Sequence, residues 1–349
     1  MSPDVFSGID SARLIRRSAA AKLEKECKFS FWFAPSSVVS KYLDGRKKSG
    51  ECHVLFGGRI VIGPRWQGLV ISLSALVLVA IQVVCFTTLP IIASSSSTVG
   101  DLIVCHSVHF LFLSTILLTL LTGITNPGII PRNESSDPLA GADPKTIDTT
   151  TGYLIPRYLL LNGVGVRQKY CRTCRIYRPP RSNHCTVCDN CVLRHDHHCL
   201  ALGTCVGLGN YRWFLLLSAA LTLLCPLVFW LTKTQLVELY LSPQASFIDM
   251  VTNHFFLIVV LVMSMVGTVA FLLLFVYHYF ITSHNLTTNE HLKKYYKTNP
   301  FDYGPWVNFK HVVCFPQELL PVTDPMDIEA SYRQLGSGNS ECISDFYDY

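Results

Sequence analysis

The strongest pattern in the chain is a set of four long stretches that contain no Asp, Glu, Lys or Arg. Each is long enough to cross the hydrocarbon core of a bilayer, which takes about 20 residues as a helix. The stretches are Gly68–Ile92, Leu102–Thr125, Trp213–Thr232 and His254–Thr282. This pattern predicts an all-α polytopic membrane protein with four transmembrane helices.

The segments between these stretches predict the orientation. Of the 29 Lys and Arg residues, twelve lie in 1–67, eleven in 126–212 and five in 283–349, which leaves only Lys233 elsewhere. Because basic segments stay on the cytoplasmic side, both termini and the long central loop are predicted to be cytosolic. Half of the residues are apolar and only 15% are charged. We therefore expect an integral protein of the endomembrane system or the plasma membrane.

The predicted spans divide the chain into five parts. In order, these are a cytosolic N-terminal segment, two helices, a cytosolic loop, two helices and a cytosolic C-terminal region, at 1–67, 68–125, 126–212, 213–282 and 283–349. Within the first part, Val54–Trp66 contains two adjacent glycines and a proline. This composition predicts a small hairpin that leads up to the bilayer.

Seven of the fourteen cysteines lie between Cys171 and Cys205, in the central loop. Structural zinc takes four Cys or His ligands, and the Cys-x2-Cys spacing lets a tight turn point two thiolates at one ion. The seven cysteines and four histidines of this region are too many for one site. Two sites are supplied most simply by six cysteines and two histidines. One cysteine and two histidines then remain, and the spacing alone does not identify them.

Cys199 is the natural candidate for the remaining reactive thiol, because it follows two histidines and lies just before a membrane span. A thiolate beside an imidazole, with a neighbouring Asp to orient that base, has the groups needed for nucleophilic catalysis. The alternative is that every cysteine is structural and the extra one only packs.

The cysteine-rich stretch also carries a family resemblance. From Cys171 to Phe214 it reads Cys-x2-Cys-x9-His-Cys-x2-Cys-x2-Cys-x4-Asp-His-His-Cys-x5-Cys-x4-Asn-x3-Phe. This pattern closely resembles the cysteine-rich domain of the DHHC family of protein S-acyltransferases. Residues 287–290 are similar to the family's TTxE motif, and residues 299–308 to its C-terminal cytosolic motif. The resemblance covers roughly residues 68–315.

The resemblance implies two structural zinc ions with interleaved ligands. The first set would be Cys171, Cys174, His184 and Cys191. The second set would be Cys185, Cys188, His198 and Cys205. The implied fold of the region, with its core at 171–212, is a cytosolic zinc-binding domain of short strands and loops between the second and third helices.

The resemblance also implies the chemistry. Cys199 would be the nucleophile, His197 its base and Asp196 the residue that orients the base. Cys199 would take a long-chain acyl group, such as palmitoyl, from acyl-CoA and pass it to cysteine thiols of membrane-associated proteins. The residues implied for CoA contact are Arg178 and Arg181. The supporting residues would be Thr287, Thr288, Glu290 and Asn308.

Arginines beside zinc ligands are typical of nucleic-acid binding in soluble proteins. Here predicted spans on both sides hold the domain against the bilayer. The expected phosphate-bearing partners are therefore CoA and membrane lipids, and no nucleic acid is expected.

The chain departs from the family pattern at a few positions. Leu200-Ala201 replace the usual Pro-Trp after the DHHC tetrad, and a less polar run follows at 202–204. These changes predict a looser turn and the loss of a bulky wall beside the nucleophile. Asn126 stands where Asp commonly precedes Pro-Gly, and His195, which has no role in the family pattern, is predicted to lie at the surface.

Other functions compete with this interpretation. A membrane-anchored scaffold of RING type also uses two interleaved zinc sites, but it lacks a surplus cysteine and normally ends with a Cys-x2-Cys pair, which is absent after Cys191. A catalytically silent family member would only bind acylated proteins or lipids. A transporter is disfavoured because the spans hold few polar residues, namely Gln82, His106, His109 and, near a helix end, His278. The histidines at 106 and 109 could form a proton relay, but helix packing or an interfacial position is the commoner explanation.

Overall fold

A computed structural model describes residues 48–93, 98–132, 154, 157–161, 164–241, 248, 251–252 and 254–313. Most of the predicted N-terminal segment and the tail after residue 313 lie outside these described residues. Within them, short strands lie between the second and third long helices. This is the order that the sequence predicts.

Four helices are long and apolar enough to cross a membrane, within the part of the chain that the structure describes. They are α1 (Trp66–Ala93), α2 (Val99–Ile124), α3 (Tyr211–Leu241) and α4 (Phe255–Ser283). The prediction of four spans is confirmed. The boundaries differ most at α3, which continues through Lys233 to Leu241. Lys233 does not end the helix, because lysine is a good helix former and its long side chain can carry the charge into the headgroup region.

Helix α3 lies between α2 and α4 and packs against both. The Thr222 hydroxyl donates to the Phe271 carbonyl of α4 at 3.0 Å. On α2, Nε2 of His109 lies 2.7 Å from the Thr88 hydroxyl, which belongs to a π-helical turn of α1 at Val84–Thr88. His109 therefore joins two helices, which favours the packing interpretation over a proton relay.

The region between α2 and α3 is built from short antiparallel hairpins. Its strands are β4 (Ile129–Ile130), β5 (Arg157–Leu161), β6 (Val164–Gln168), β7 (Tyr170–Cys171), β8 (Ile176–Tyr177), β9 (Asn183–Cys185), β10 (Asn190–Val192), β11 (His197–Cys199) and β12 (Thr204–Val206). They pair in the orders β4-β10-β9, β5-β6, β7-β8 and β11-β12. Cys191 is paired with His184, and His198 with Cys205. The hairpin registers thus bring cysteines and histidines together.

A three-stranded antiparallel sheet precedes α1. It consists of β1 (Lys48–Ser49), β2 (Cys52–Leu55) and β3 (Ile60–Ile62). The β2–β3 hairpin confirms the hairpin predicted within Val54–Trp66. Its buried residues Cys52, Val54 and Val61 pack in one apolar cluster with residues of the cysteine-rich region, namely Cys185, Cys188, Val192 and Cys205. The sheet therefore covers one side of that region.

Asn126 links this N-terminal sheet to the end of α2. Its Oδ1 accepts hydrogen bonds from the backbone N–H groups of Gly128 and Ile129, at 2.9 and 3.0 Å. Its Nδ2 donates to the Gly58 carbonyl at 2.9 Å. A carboxylate could accept the first two bonds but has no N–H for the third. The contact with Gly58 therefore explains why an amide suits this position.

Two short helices follow α4. They are α5 (Thr288–Leu292) and α6 (Pro305–Val313), and α6 packs against α4. Asn308 of α6 is fully buried, and its Nδ2 donates to the Ser283 carbonyl at the end of α4 at 2.7 Å. The predicted supporting residue Asn308 thus fixes α6 to the last turn of α4.

Candidate active site

Two groups of Cys and His side chains could hold a metal ion, and they are the two sets that the family resemblance implies. In the first group, Nδ1 of His184 lies 3.5, 3.5 and 3.8 Å from the Sγ atoms of Cys171, Cys174 and Cys191. A tetrahedral zinc ion with ordinary bond lengths separates a sulfur ligand from a nitrogen ligand by about 3.6 Å. The spacing and the donor atoms therefore fit zinc.

The second group has the same geometry. Nδ1 of His198 lies 3.6, 3.4 and 3.7 Å from the Sγ atoms of Cys185, Cys188 and Cys205. The three cysteines are buried, and His198 is partly buried. This arrangement also fits a structural zinc ion, which is closed to solvent and has four protein ligands.

Outer contacts orient the first group. Nε2 of His184 lies 3.5 Å from the Asp189 carboxylate, and the Arg132 guanidinium binds the same carboxylate at 2.6 Å. A carboxylate on the second nitrogen of a histidine ligand fixes the ring and its tautomer. Asp189 and Arg132 were not identified from the sequence, since such a pair has no spacing of its own.

The three remaining residues of the DHHC tetrad form a second kind of site. Nδ1 of His197 lies 2.7 Å from Oδ2 of Asp196, which is buried. The other carboxylate oxygen of Asp196 accepts a hydrogen bond from the backbone N–H of Thr288 at 2.8 Å. Cys199 is half-buried in the same strand as His197 and lies outside both metal groups. An acid, a base and a thiol are thus arranged in series.

Burial and charge act in opposite directions on these groups. Burial disfavours the His197 imidazolium, but hydrogen bonds and charges from Asp196 and Cys199 outweigh it and raise the pKa of His197 to about 9. Burial would raise the pKa of the Cys199 thiol, yet the hydrogen bond and charge of His197 lower it. Burial would likewise raise the pKa of Asp196, and the hydrogen bond and charge of His197 lower it. The site favours a thiolate–imidazolium pair.

Aromatic residues at the ends of α3 and α4 enclose His197. The Phe214 ring meets the His197 ring in a T-shaped contact with centroids 5.2 Å apart, and it meets His278 at 4.8 Å. The Tyr211 hydroxyl lies 3.0 Å from Nδ1 of His278 and 3.1 Å from the Thr282 hydroxyl. The sequence marked His278 only as a polar residue near a helix end, and its pairing with Tyr211 depends on how α3 and α4 pack.

The TTxE-like sequence braces this site. Thr287 and Glu290 form a reciprocal capping box at the start of α5, with the Glu290 carboxylate accepting from the Thr287 N–H at 2.9 Å. The Thr288 N–H is thereby directed at Asp196. The predicted supporting roles of these three residues thus have a physical basis in the capped first turn of α5.

Arg181, which is predicted to contact CoA, makes its described contacts within the protein. Its Nε and Nη2 donate to the two oxygens of Glu290 at 2.9 and 2.8 Å, and its Nη1 donates to Asn285 at 2.9 Å. The two side chains of the ion pair are only 6% and 4% exposed. Arg181 thus joins the cysteine-rich region to α5.

Arg178 lies in a more open setting. It lines a cavity of about 140 Å³ together with Arg167, Lys169, Ser182 and Tyr296. Its Nη1 donates to the Asn183 side chain at 2.6 Å. Three cationic side chains that are not paired to Glu290 therefore face one cavity beside α5.

The surface position predicted for His195 is wrong. The residue is only 7% exposed, and its Nε2 lies 3.8 Å from Sγ of Cys205. The burial follows from its place between β10 and β11, where the backbone N–H of His195 also donates to the Arg181 carbonyl. His195 therefore packs against the second metal group.

The turn after Cys199, which lacks the usual proline, is held by contacts with the start of α1. Gly203 has a φ of +67°, and a Cβ there would collide with the Arg65 carbonyl. The Ser72 hydroxyl of α1 donates to the Ala201 carbonyl at 2.8 Å. Leu200, in contrast, is 62% exposed. Packing against the start of α1 thus constrains the backbone of the turn, whereas the Leu200 side chain faces outward.

Comparisons with known proteins agree with this geometry. The profile of the DHHC palmitoyltransferase family matches residues 165–295. The chain is 33% identical over 288 residues to "Probable protein S-acyltransferase 6" of Arabidopsis thaliana, an alignment that covers 77% of this chain and 68% of the relative. It is 35% identical over 271 residues to "Probable protein S-acyltransferase 7" of the same plant, which covers 72% and 58%.

An animal protein is similar to the same degree. "Palmitoyltransferase ZDHHC18" of Mus musculus is 35% identical over 243 residues, which covers 68% of this chain and 61% of that protein. Across these relatives the chain spans between 58% and 68% of their own length. Residues 165–295, which the family profile matches, contain both metal groups, Cys199 and the helices α3 and α4. The chain therefore belongs to the DHHC palmitoyltransferase family.

Proposed function

We propose that the protein transfers a long-chain acyl group, such as palmitoyl, from acyl-CoA to cysteine thiols of membrane-associated proteins. The observation that carries this proposal is the series Asp196, His197 and Cys199, with Thr288 holding the far oxygen of Asp196. The thiol is the one cysteine of the motif that lies outside both metal groups. Family membership supports the same activity.

The reaction would proceed in two thioester exchanges. In the first, the Cys199 thiolate, whose proton is held by His197, attacks the carbonyl carbon of acyl-CoA. The C–S bond to CoA breaks, and His197 gives the proton to the CoA thiolate. In the second, an acceptor thiol gives its proton to His197 and attacks the acyl-enzyme, which releases the Cys199 thiolate beside the His197 imidazolium. Because each step exchanges one thioester for another, positioning and thiolate activation are the enzyme's task.

Zinc fits both Cys and His groups, and we propose one structural ion in each. The ions would be held by Cys171, Cys174, His184 and Cys191, and by Cys185, Cys188, His198 and Cys205. Bound zinc would supply folding energy to a domain whose strands are only two to five residues long. His197 and Cys199 flank His198 on β11, so the second ion would hold the strand that presents both groups.

The CoA phosphates would bind at the cavity beside α5. Arg178, Arg167 and Lys169 face this cavity, and a phosphate prefers such a cluster of cations. Arg181, which is also a lining residue, would act by fixing Glu290 and the wall of the cavity.

The acyl chain would lie among the four helices. Cys199 packs against an apolar cluster that includes Leu69 of α1 and Phe214 and Leu215 of α3. Burying each methylene is worth about 0.8 kcal/mol.

The basic segments precede α1, connect α2 to α3 and follow α4. We therefore place the site and both termini on the cytosolic side of an endomembrane or the plasma membrane, where membrane lipids and acyl-CoA meet.

Labelling tests this function against a silent family member or a RING-type scaffold. Purified full-length protein should take up an alkyne fatty acyl group from its CoA ester, and hydroxylamine should remove it. Cys199→Ser should abolish the label, whereas Cys225→Ser, which removes a thiol on α3 outside the site, should retain it. A folded wild-type protein that takes up no label would contradict the proposal.

A further inference from the structure

Phe56 is both strained and exposed. It stands at the tip of the β2–β3 hairpin with a φ of 50°, and 76% of its surface is exposed. A positive φ is unfavourable for a bulky side chain, which crowds its own backbone there. Strain of this kind persists where the surrounding structure imposes it and often marks a functional position. A ring that is so exposed gains little from packing within the described protein.

The hairpin tip lies beside the end of a transmembrane helix. The Gly58 carbonyl, two residues after Phe56, accepts from Nδ2 of Asn126, and Ile60 forms a β-bridge with Thr125. Helix α2 ends at Ile124. The tip is therefore held beside the end of α2, and its position is set by the backbone of Gly58 and Ile60 rather than by the Phe56 ring.

The neighbouring surface has the composition of a membrane interface. Leu55 and Arg59 flank the tip and are exposed, and Arg65 and Trp66 are exposed where α1 begins. Aromatic and basic residues are favoured at the headgroup level, where rings contact the upper acyl chains and cations meet phosphates. Leu55 and Phe56 are thus exposed apolar residues close to Asn126 and Thr125, which follow α2.

We propose that the hairpin tip, Leu55 to Arg59, inserts Phe56 into the headgroup region of the phospholipid bilayer. Arg59 would face lipid phosphate, and the strained backbone would aim the ring away from the sheet and toward lipid. Because the other face of the sheet packs on Cys185, Cys188 and Cys205, this contact would hold the second metal group at a fixed height above the bilayer. The proposal requires that the chain spans a membrane, but it does not depend on acyl transfer.

Photocrosslinking in nanodiscs of defined phosphatidylcholine tests the contact. The benzophenone amino acid p-benzoyl-phenylalanine replaces Phe56 in the full chain, or His53 in a matched control. His53 is exposed on β2, which leads to the tip, but lies further from the tip. After irradiation, mass spectrometry should find several-fold more phospholipid adduct at position 56 than at position 53.

Metal content keeps the result interpretable. Each substituted protein is first shown to carry as much zinc as wild type, and Phe56→Gly provides a further folding control, because glycine tolerates a positive φ. Adducts at position 56 that do not exceed those at position 53, in proteins that retain zinc, would overturn the proposal. Crosslinks from position 56 to another protein instead of lipid would overturn it as well.

Discussion

At the scale of single residues, some site residues could be predicted from the sequence, whereas others are brought together only when the helices pack. Counting ligands left one surplus cysteine, and the family pattern assigned that role to Cys199. Tyr211 and His278 could not be found in this way, because they lie 67 positions apart and meet only when α3 and α4 pack. His195 was misplaced because a histidine's burial depends on its neighbours in space, here Cys205.

The pairing of Tyr211 with His278 leads to a prediction. Replacing His278 with Ala removes one of the two partners of the Tyr211 hydroxyl and the ring that contacts Phe214. Autoacylation of Cys199 should slow by about tenfold, or about 1.4 kcal/mol in activation free energy. Single-turnover uptake of a fluorescent acyl-CoA measures this rate.

A matched control separates catalysis from helix packing. Thr222→Val also removes a hydrogen bond between α3 and α4, but it lies away from Cys199. It should leave the rate of autoacylation close to that of wild type. Equal slowing in both variants would mean that His278 acts only through the helix pair.

At the scale of elements, the apolar stretches predicted the four helices because a chain in hydrocarbon must satisfy its own backbone hydrogen bonds. Their ends were less predictable, as the extension of α3 past Lys233 illustrates. For the cysteine-rich region, the sequence predicted short strands but not their bounds. Metal ligands, rather than an alternating apolar pattern, determine where these strands lie. The role of α5 was visible as a motif, but its ion pair with Arg181 was not.

The ion pair between α5 and the cysteine-rich region can be tested by two arginine substitutions. Arg181→Ala leaves Glu290 buried without its partner, and it should cost about 3–5 kcal/mol of unfolding free energy. Arg178→Ala should change stability little and should raise the KM for acyl-CoA. Thermal unfolding and initial rates measure the two effects. A stable Arg181→Ala protein with only a raised KM would restore Arg181 as a CoA ligand.

At the scale of the whole molecule, three parts meet at the site. The four helices, the cysteine-rich region and α5 each contribute a residue near His197, and the N-terminal sheet covers the second metal group. The resemblance began at residue 68, so the sheet at 48–62 could not be included in it from the sequence. Its packing on Cys185 and Cys188 makes it part of the same domain.

Metal content tests this assembly. Cys185→Ala removes a ligand at the junction of the N-terminal sheet and the second metal group, and it should lose zinc and unfold more easily. Cys199→Ser should retain two zinc ions per chain, because Cys199 lies outside both groups. Elemental analysis of the purified proteins measures the zinc. Equal zinc loss in the two variants would refute the division between ligand and nucleophile.

The central claim is that Cys199 carries the acyl group. Peptide mapping by mass spectrometry after brief incubation of the purified protein with palmitoyl-CoA tests it most directly. We expect a hydroxylamine-sensitive palmitoyl thioester on the peptide that contains Cys199, and a much weaker signal in Asp196→Ala, where His197 loses its orienting partner. A thioester confined to another cysteine, or its undiminished formation in Cys199→Ser, would contradict the account.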